Sequence, residues 1–216
     1  MSTHAGLLHG VPAPFQFEAL SGWLGRLALS QGCTVEEAKH FLGFPSRSCR
    51  DVDSEICSAG LASVRQRCNL PPNAFAESAQ LMEAFSPRRW CASSGWPRFR
   101  YCPLCLAERP TAYLDVHWRF FDRARCLMHD CELEVQCPEC KTSITGPTDM
   151  IDSHAGRSGH ASQRRCQRCS CNLSEVPPRF AYQRRTRFTG LESRLIQYRG
   201  LPPEQPLYSR RIWPFD

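Results

Sequence analysis

Apolar side chains recur at helical spacing near the start of the chain, at Leu20, Leu24, Leu27 and Ala28, with Trp23 widening the stripe. Positions three and four apart share a helix face, so the run predicts a helix from Glu18 that Gly32 closes, glycine being the residue that enters a left-handed cap without strain. Thr34 and Glu37 have the spacing of a capping box and predict a second, short helix from Val35 to Leu42, broken by Gly43 and Pro45. Two short helices joined by a tight glycine turn fit a plain helical hairpin, which the pattern alone favours, and also a DNA-reading pair. A further helix is expected over residues 54–68. Another restarts at Pro71, with Pro72 and Asn73 as its opening, and runs to about Phe85. Leu61, Val64, Leu70, Phe75, Leu81 and Met82 can then share one core.

Between Pro87 and Arg100 the pattern turns irregular and interleaves cations with aromatics: Arg88, Arg89, Trp90, Trp96, Arg98 and Arg100. This stretch is read as the domain junction, and its composition suits stacking on nucleic acid as well as cation–π packing of one domain on another. Near the end, Thr189 and Glu192 form another capping box, and Leu191, Arg194, Leu195 and Tyr198 line one helical face up to Gly200. Residues 201–216, rich in proline and bulky apolar side chains, read as an extended arm.

The candidate chemistry lies between. Cys102 and Cys105, Cys126 and His129, Cys137 and Cys140, and Cys166 and Cys169 are pairs with two residues between their members. That gap lets both side chains of a tight knuckle face one ion, and two knuckles complete a closed tetrahedral site. Two Zn2+ ions are therefore expected, one held by Cys102, Cys105, Cys126 and His129, the other by Cys137, Cys140, Cys166 and Cys169. The long gap before Cys166 contains a Gly-, Ser- and His-rich insertion over residues 153–163. Cys171, His154 and His160 stand as substitutes for Cys166 or Cys169.

Disulfides are the alternative for a chain with 14 cysteines. Residues 1–15 lack the basic stretch, apolar run and small-residue site of a secretory leader, which favours reduced thiols. Redox chemistry calls for one C-x-x-C at a helix start in a βαβ unit rather than four pairs in series. Cys33, Cys49, Cys57 and Cys68, outside the ligand pairs, read as small buried hydrophobes. The cysteine region is too polar to bury much core, so zinc takes over that role, contributing on the order of 10 kcal/mol. Chelation is expected to unfold that half, and loss of a ligand to affect the helical half much less.

The formal charge of +6 falls to about +3 once the seven ligand thiolates and the two expected Zn2+ ions are counted together. Its distribution matters more: residues 157–211 hold 12 arginines against Glu175, Glu192 and Glu204. Arg164, Arg165, Arg184, Arg185 and Arg187, with Arg88, Arg89, Arg98 and Arg100, are accordingly candidate contacts to nucleic acid or a partner. No apolar run approaches the ~20 residues of a membrane span.

Glu18, Leu20, Ser21, Trp23, Leu24, Arg26 and Ala28 are followed by Arg100, Tyr101, Cys102, Pro103, Cys105 and Leu106. Tyr113, Trp118, Arg119, Cys126, His129, Leu133, Cys137, Pro138 and Cys140 follow in order. In this ordered set the sequence resembles the TniQ family over roughly residues 12–171. The resemblance implies a mainly α fold with small zinc-ribbon or zinc-finger modules. It places a helix-turn-helix-like helical domain over residues 1–97 and tandem zinc fingers over 98–176, divided into 98–133 and 134–176. A basic helix and proline-rich arm follow over 177–216.

It also implies a non-enzymatic adaptor of DNA transposition, acting in the bacterial cytoplasm and at the nucleoid. Such an adaptor links a target-recognition partner, a CRISPR effector complex with guide RNA or target DNA itself, to an AAA+ ATPase of the TnsC type. The ATPase then recruits the transposase, and a homodimer is a further arrangement. The absence of a Walker A pattern means that the chain does not itself hydrolyse ATP through a P-loop. Two rivals stand beside this reading: a stand-alone sequence-specific DNA-binding selector, and a metal-dependent nuclease using Asp115, Asp122 or Asp149.

Overall fold

The structure, a computed structural model, describes residues 8–44, 51–57, 59–84, 92–93, 96–120, 124–150 and 162–180. Five helices carry most of the regular structure there: α1 (Leu20–Gln31), α2 (Val35–Leu42), α3 (Ala59–Arg67), α4 (Ala76–Ala84) and α5 (Pro103–Glu108). Short strands β1 (Ala92–Ser93), β2 (Trp96–Phe99) and β3 (Ile144–Thr145) form one small antiparallel sheet in the order β1-β2-β3. The C-terminal helix and arm expected from sequence lie outside the described residues.

Helix α1 ends as its sequence predicts, with Gly32 left-handed at φ 65° and donating to the carbonyls of Ala28 and Leu29. Its start does not follow the usual local rule. The N-cap is Ala19, which has no side-chain acceptor, and a distant residue supplies one: Asp53 accepts from the Ser21 backbone N–H at 2.6 Å and from its hydroxyl at 2.9 Å. Leu20, Ser21, Gly22, Trp23, Leu24, Gly25, Leu27 and Ala28 are all buried, so α1 is a central helix covered on most sides. Helix α2 has its full capping box, Thr34 and Glu37 each satisfying the other's backbone.

Two helical expectations are corrected. The helix expected over residues 54–68 is a 3₁₀ turn, Val52–Cys57, followed by α3. Asp51 folds that turn, accepting from the Asp53 backbone and, through its carbonyl, from the Ser54 hydroxyl at 2.6 Å. The helix expected from Pro71 begins only at Ala76. Phe75 is left-handed at φ 62°, which breaks the helical path and lets its ring meet Trp23 edge-on with centroids 5.4 Å apart. Tertiary packing here overrides a good local start signal. The shared core forms as expected, with Leu61, Val64, Phe75, Leu81 and Met82 buried and Leu70 packed against them.

The stretch read as an irregular junction contains β2. Pro97 and Phe99 are buried while Arg98 and Arg100 are half-buried, the period-two alternation of a strand. Arg98 pairs with Thr145 and Phe99 with Ile144, joining the approach to the first cysteine pair to the segment after Cys140. Residues 17–19 pair with 114–116 in the same way: Ala19 donates to the Leu114 carbonyl and Val116 to that of Phe17. One hydrophobic core consequently runs from Leu20, Trp23 and Val64 through Tyr101, Leu114 and Phe120 to Cys137, Ile144 and Leu173. Among the described residues, no helix is long and apolar enough to cross a membrane.

Candidate metal centres

Cys102 is the N-cap of α5, Pro103 its first residue, and Cys105 donates its backbone N–H to the Cys102 sulfur at 3.4 Å. The first cysteine pair is thus a helix start, where a backbone N–H without an intrahelical partner reaches a ligand sulfur. The other pairs sit on a different device, repeated three times. Cys126, Cys137 and Cys166 each donate to the carbonyl five residues on and accept from the N–H four residues on, at 2.8–3.0 Å. The fifth residue of each knuckle is left-handed: Asp130 at φ 52°, Lys141 at 59° and Ser170 at 60°.

The knuckles at Cys126 and Cys166 agree further. Arg125 and Arg165 each donate back to the carbonyl of that left-handed residue, Asp130 at 2.8 Å and Ser170 at 3.0 Å. Leu133 and Leu173 each donate their N–H to the residue before the arginine, at 2.8 and 2.7 Å. Both leucines enter the core. The chain therefore repeats Arg-Cys-x-x-His/Cys-x-Cys-x-Leu at residues 125–133 and 165–173, an internal repeat that sequence reading missed although the letters carry it.

Folding brings Cys102, Cys105, Cys126 and His129 together in one group and Cys137, Cys140, Cys166 and Cys169 in another. The donor atoms of each group all lie within 4.8 Å of one another. In the first, Cys105 Sγ is 3.5 Å from Cys126 Sγ, and His129 Nδ1 is 3.3, 3.4 and 3.6 Å from the sulfurs of Cys105, Cys102 and Cys126. In the second, Cys137–Cys169 and Cys140–Cys166 sulfur separations are both 3.5 Å. A tetrahedron with Zn–S of about 2.3 Å has S···S edges of about 3.8 Å. Donors packed this closely fit one small tetrahedral ion per group, and the burial of Cys102, Cys105, Cys126, Cys137 and Cys166 leaves such sites closed. Cys171 lies outside the second group, and His154 and His160 lie outside the described residues.

Charge states in the metal-free groups follow from this crowding. Burial opposes an imidazolium at His129, but hydrogen bonds and attraction from Cys105 and Cys126 outweigh it and raise its pKa to about 11. Hydrogen bonds from Cys102 and Cys105 hold the Cys126 thiol well below its ordinary range. A metal ion entering the group must displace protons, so its affinity falls with acid.

The described arginines among the candidate nucleic-acid contacts make hydrogen bonds within the chain. Arg164 donates to the carbonyls of Leu106 and Arg109 and thereby caps the last turn of α5. Arg165 holds its own knuckle, and Arg98 donates to the Ser143 hydroxyl at 2.6 Å. Arg88, Arg89, Arg184, Arg185 and Arg187 lie outside the described residues. The same internal use extends to Arg26 on Glu18, Arg65 on the Ala74 carbonyl, Arg67 on that of Phe41, Arg109 on Asp115, and Arg119 on Asp51 and Asp53.

The acids weighed as metal-gathering carboxylates are also occupied. Asp115 accepts from Arg109 and from the His117 backbone. Asp149 accepts from the Val35 N–H at the start of α2, 3.1 Å away. Asp122 lies outside the described residues. Of the residues in the family-like set, Glu18 binds Arg26 at 2.6 Å, Trp23 donates to the Pro12 carbonyl at 2.7 Å, and Arg119 is wholly buried. These are scaffold roles.

The fold and its two groups define a class: a helix-rich protein with few strands, cemented around one three-thiol, one-imidazole cluster and one four-thiol cluster able to hold metal ions. The family model TniQ matches residues 10–133, more than half of the chain, and the chain belongs to the TniQ family. The matched region takes in α1 to α5 and the first cluster, ending at Leu133. Membership places the protein in DNA transposition, in an adaptor or DNA-binding role within complexes that have protein and DNA partners. No curated protein matches the sequence.

Proposed function

We propose that the protein is a non-enzymatic adaptor of transposition, holding one zinc ion at Cys102, Cys105, Cys126 and His129 and a second at Cys137, Cys140, Cys166 and Cys169. Bound zinc supplies a rigid tetrahedral crosslink at each cluster, and the protein ligands fill all four positions. The adaptor joins a target-recognition complex, a CRISPR effector with guide RNA on target DNA, to an AAA+ ATPase of the TnsC type that recruits the transposase.

The observation that carries the adaptor over an independent DNA reader is the internal use of arginine. Guanidinium groups that would neutralise phosphate are spent on carbonyls and buried carboxylates of the same chain. Helix α2 adds to this, since Glu36 and Glu37 occupy its first turn and Asp149 takes the Val35 N–H. A recognition helix meets DNA through that end, and Glu37 and Asp149 there repel phosphate while Glu36 is paired with Lys39. The α1–α2 pair thus serves as core and protein surface. Met128, half-exposed at a knuckle tip beside a groove of about 480 Å³ that Phe17, Pro110 and Tyr113 also line, suits contact with protein. Nonspecific DNA contact falls to arginines outside the described residues, Arg184, Arg185 and Arg187 among them.

Fluorescence anisotropy with naked duplexes of varied sequence tests the reading. The adaptor gives weak binding, indifferent to sequence and abolished by moderate salt, together with stable pull-down of the purified ATPase. Nanomolar binding to one duplex, at ~10³-fold preference over others, would make the protein an independent site selector instead.

A further inference from the structure

We propose that Glu108 is the positioning residue of the first metal cluster, fixing which nitrogen of His129 faces the ion. The proposal rests on the zinc reading above. His129 Nδ1 points into the cluster, 3.3–3.6 Å from three sulfurs, while Nε2 lies 3.0 Å from Glu108 Oε2 on the outer side. A neutral imidazole has one lone pair to give and one proton to place. A carboxylate only accepts hydrogen bonds, so Glu108 retains the proton on Nε2 and leaves the Nδ1 lone pair for the metal.

The chain builds this relation economically. Helix α5 supplies Cys102 and Cys105 at its start and Glu108 as its last residue, three positions beyond Cys105 and therefore on the same face. Arg164, from the second module, binds the carbonyls of Leu106 and Arg109 and holds that last turn in place. The knuckle carrying His129 is meanwhile fixed by Arg125 on the Asp130 carbonyl. Both partners of the Glu108–His129 contact are thus anchored independently. In the second cluster the residue equivalent to His129 is Cys169, which has no second donor atom to orient. That cluster provides an internal control.

The Glu108 side chain is 57% exposed, so replacing it leaves the core intact. Competition between the full chain and a chelating dye for zinc measures the two ions separately, with native mass spectrometry counting them. Glu108→Ala should weaken one ion by about tenfold or more and leave the other unchanged. Glu108→Gln should keep most of that affinity, since its amide oxygen still accepts from Nε2–H. Ring ¹⁵N shifts of zinc-loaded wild type should show metal on Nδ1 and a proton on Nε2 of His129. Two ions held by Glu108→Ala as tightly as by wild type, or metal on Nε2, would overturn the proposal while leaving the zinc reading intact. A wild-type chain that takes up no zinc would overturn both.

Discussion

Cys68 shows how burial sets a residue's chemistry in this protein. It is 3% exposed in the helical core, and removal from water raises its thiol from 9.0 to about 11. The sign of the pH effect follows. Below pH 9 the thiol is protonated in folded and unfolded chains alike, and its packing contribution is complete. Between pH 9 and about 11 the unfolded thiol ionises while the folded one resists, so that contribution is lost as pH rises. The stability advantage of wild type over Cys68→Ala in urea unfolding should be constant up to pH 9 and shrink toward pH 11; an advantage independent of pH would contradict this. Residue identities were legible in sequence where the chemistry is local. A two-residue gap between ligands is a constraint any sequence displays, and the eight spaced ligands converge in two groups. The partner of Arg164 was not legible, because Leu106 and Arg109 lie far away in the chain and a carbonyl acceptor leaves no mark on residue identity.

Among the elements, α1 and α2 were readable because the apolar stripe of α1, the capping box of α2 and the glycine caps at Gly32 and Gly43 agree, whereas the start of α1, capped by the distant Asp53, was not. The late start of α4 and the strand β2 were not, since each depends on what it packs against: Phe75 on Trp23, and Arg98 and Phe99 on β3. The alternation around Phe99 was visible, but cations between aromatics have the same letters as a nucleic-acid patch. One glycine in α1 also acquires its meaning only in three dimensions. A Cβ at Gly25 would lie 2.8 Å from the Thr148 carbonyl oxygen, and backbone cannot swing aside as a long side chain can. Although alanine is the better helix former, Gly25→Ala should destabilise the protein by about 1–3 kcal/mol because it forces α1 and the second module apart. Thermal unfolding that is unchanged or raised in this variant would show that the contact does not constrain the fold.

At the scale of the molecule, the two cysteine clusters and the helices share their interior. Asp53 caps α1 and binds Arg119 at 2.8 Å, both side chains fully buried, while Asp51 takes the other side of the guanidinium at 2.6 Å. Burial pushes the Asp53 carboxyl above its ordinary range and Arg119 pulls against it, so each charge depends on the other staying in place. Arg119 follows directly from Trp118, in the segment between Cys105 and Cys126. The sequence suggested a helical half that depends little on the metal half. The common core of Leu20, Trp23, Tyr101, Cys102, Leu114 and Leu173 argues for mutual dependence, because cysteine-rich segments with little apolar surface of their own lend side chains to the helices. Hydrogen exchange on the zinc-loaded protein, before and after a strong chelator, tests this central claim most directly. Loss of both ions should strip protection from the α1 amides along with those of the knuckles, in one cooperative step. Full protection of α1 in the metal-free chain would contradict it and make the helices a domain in their own right.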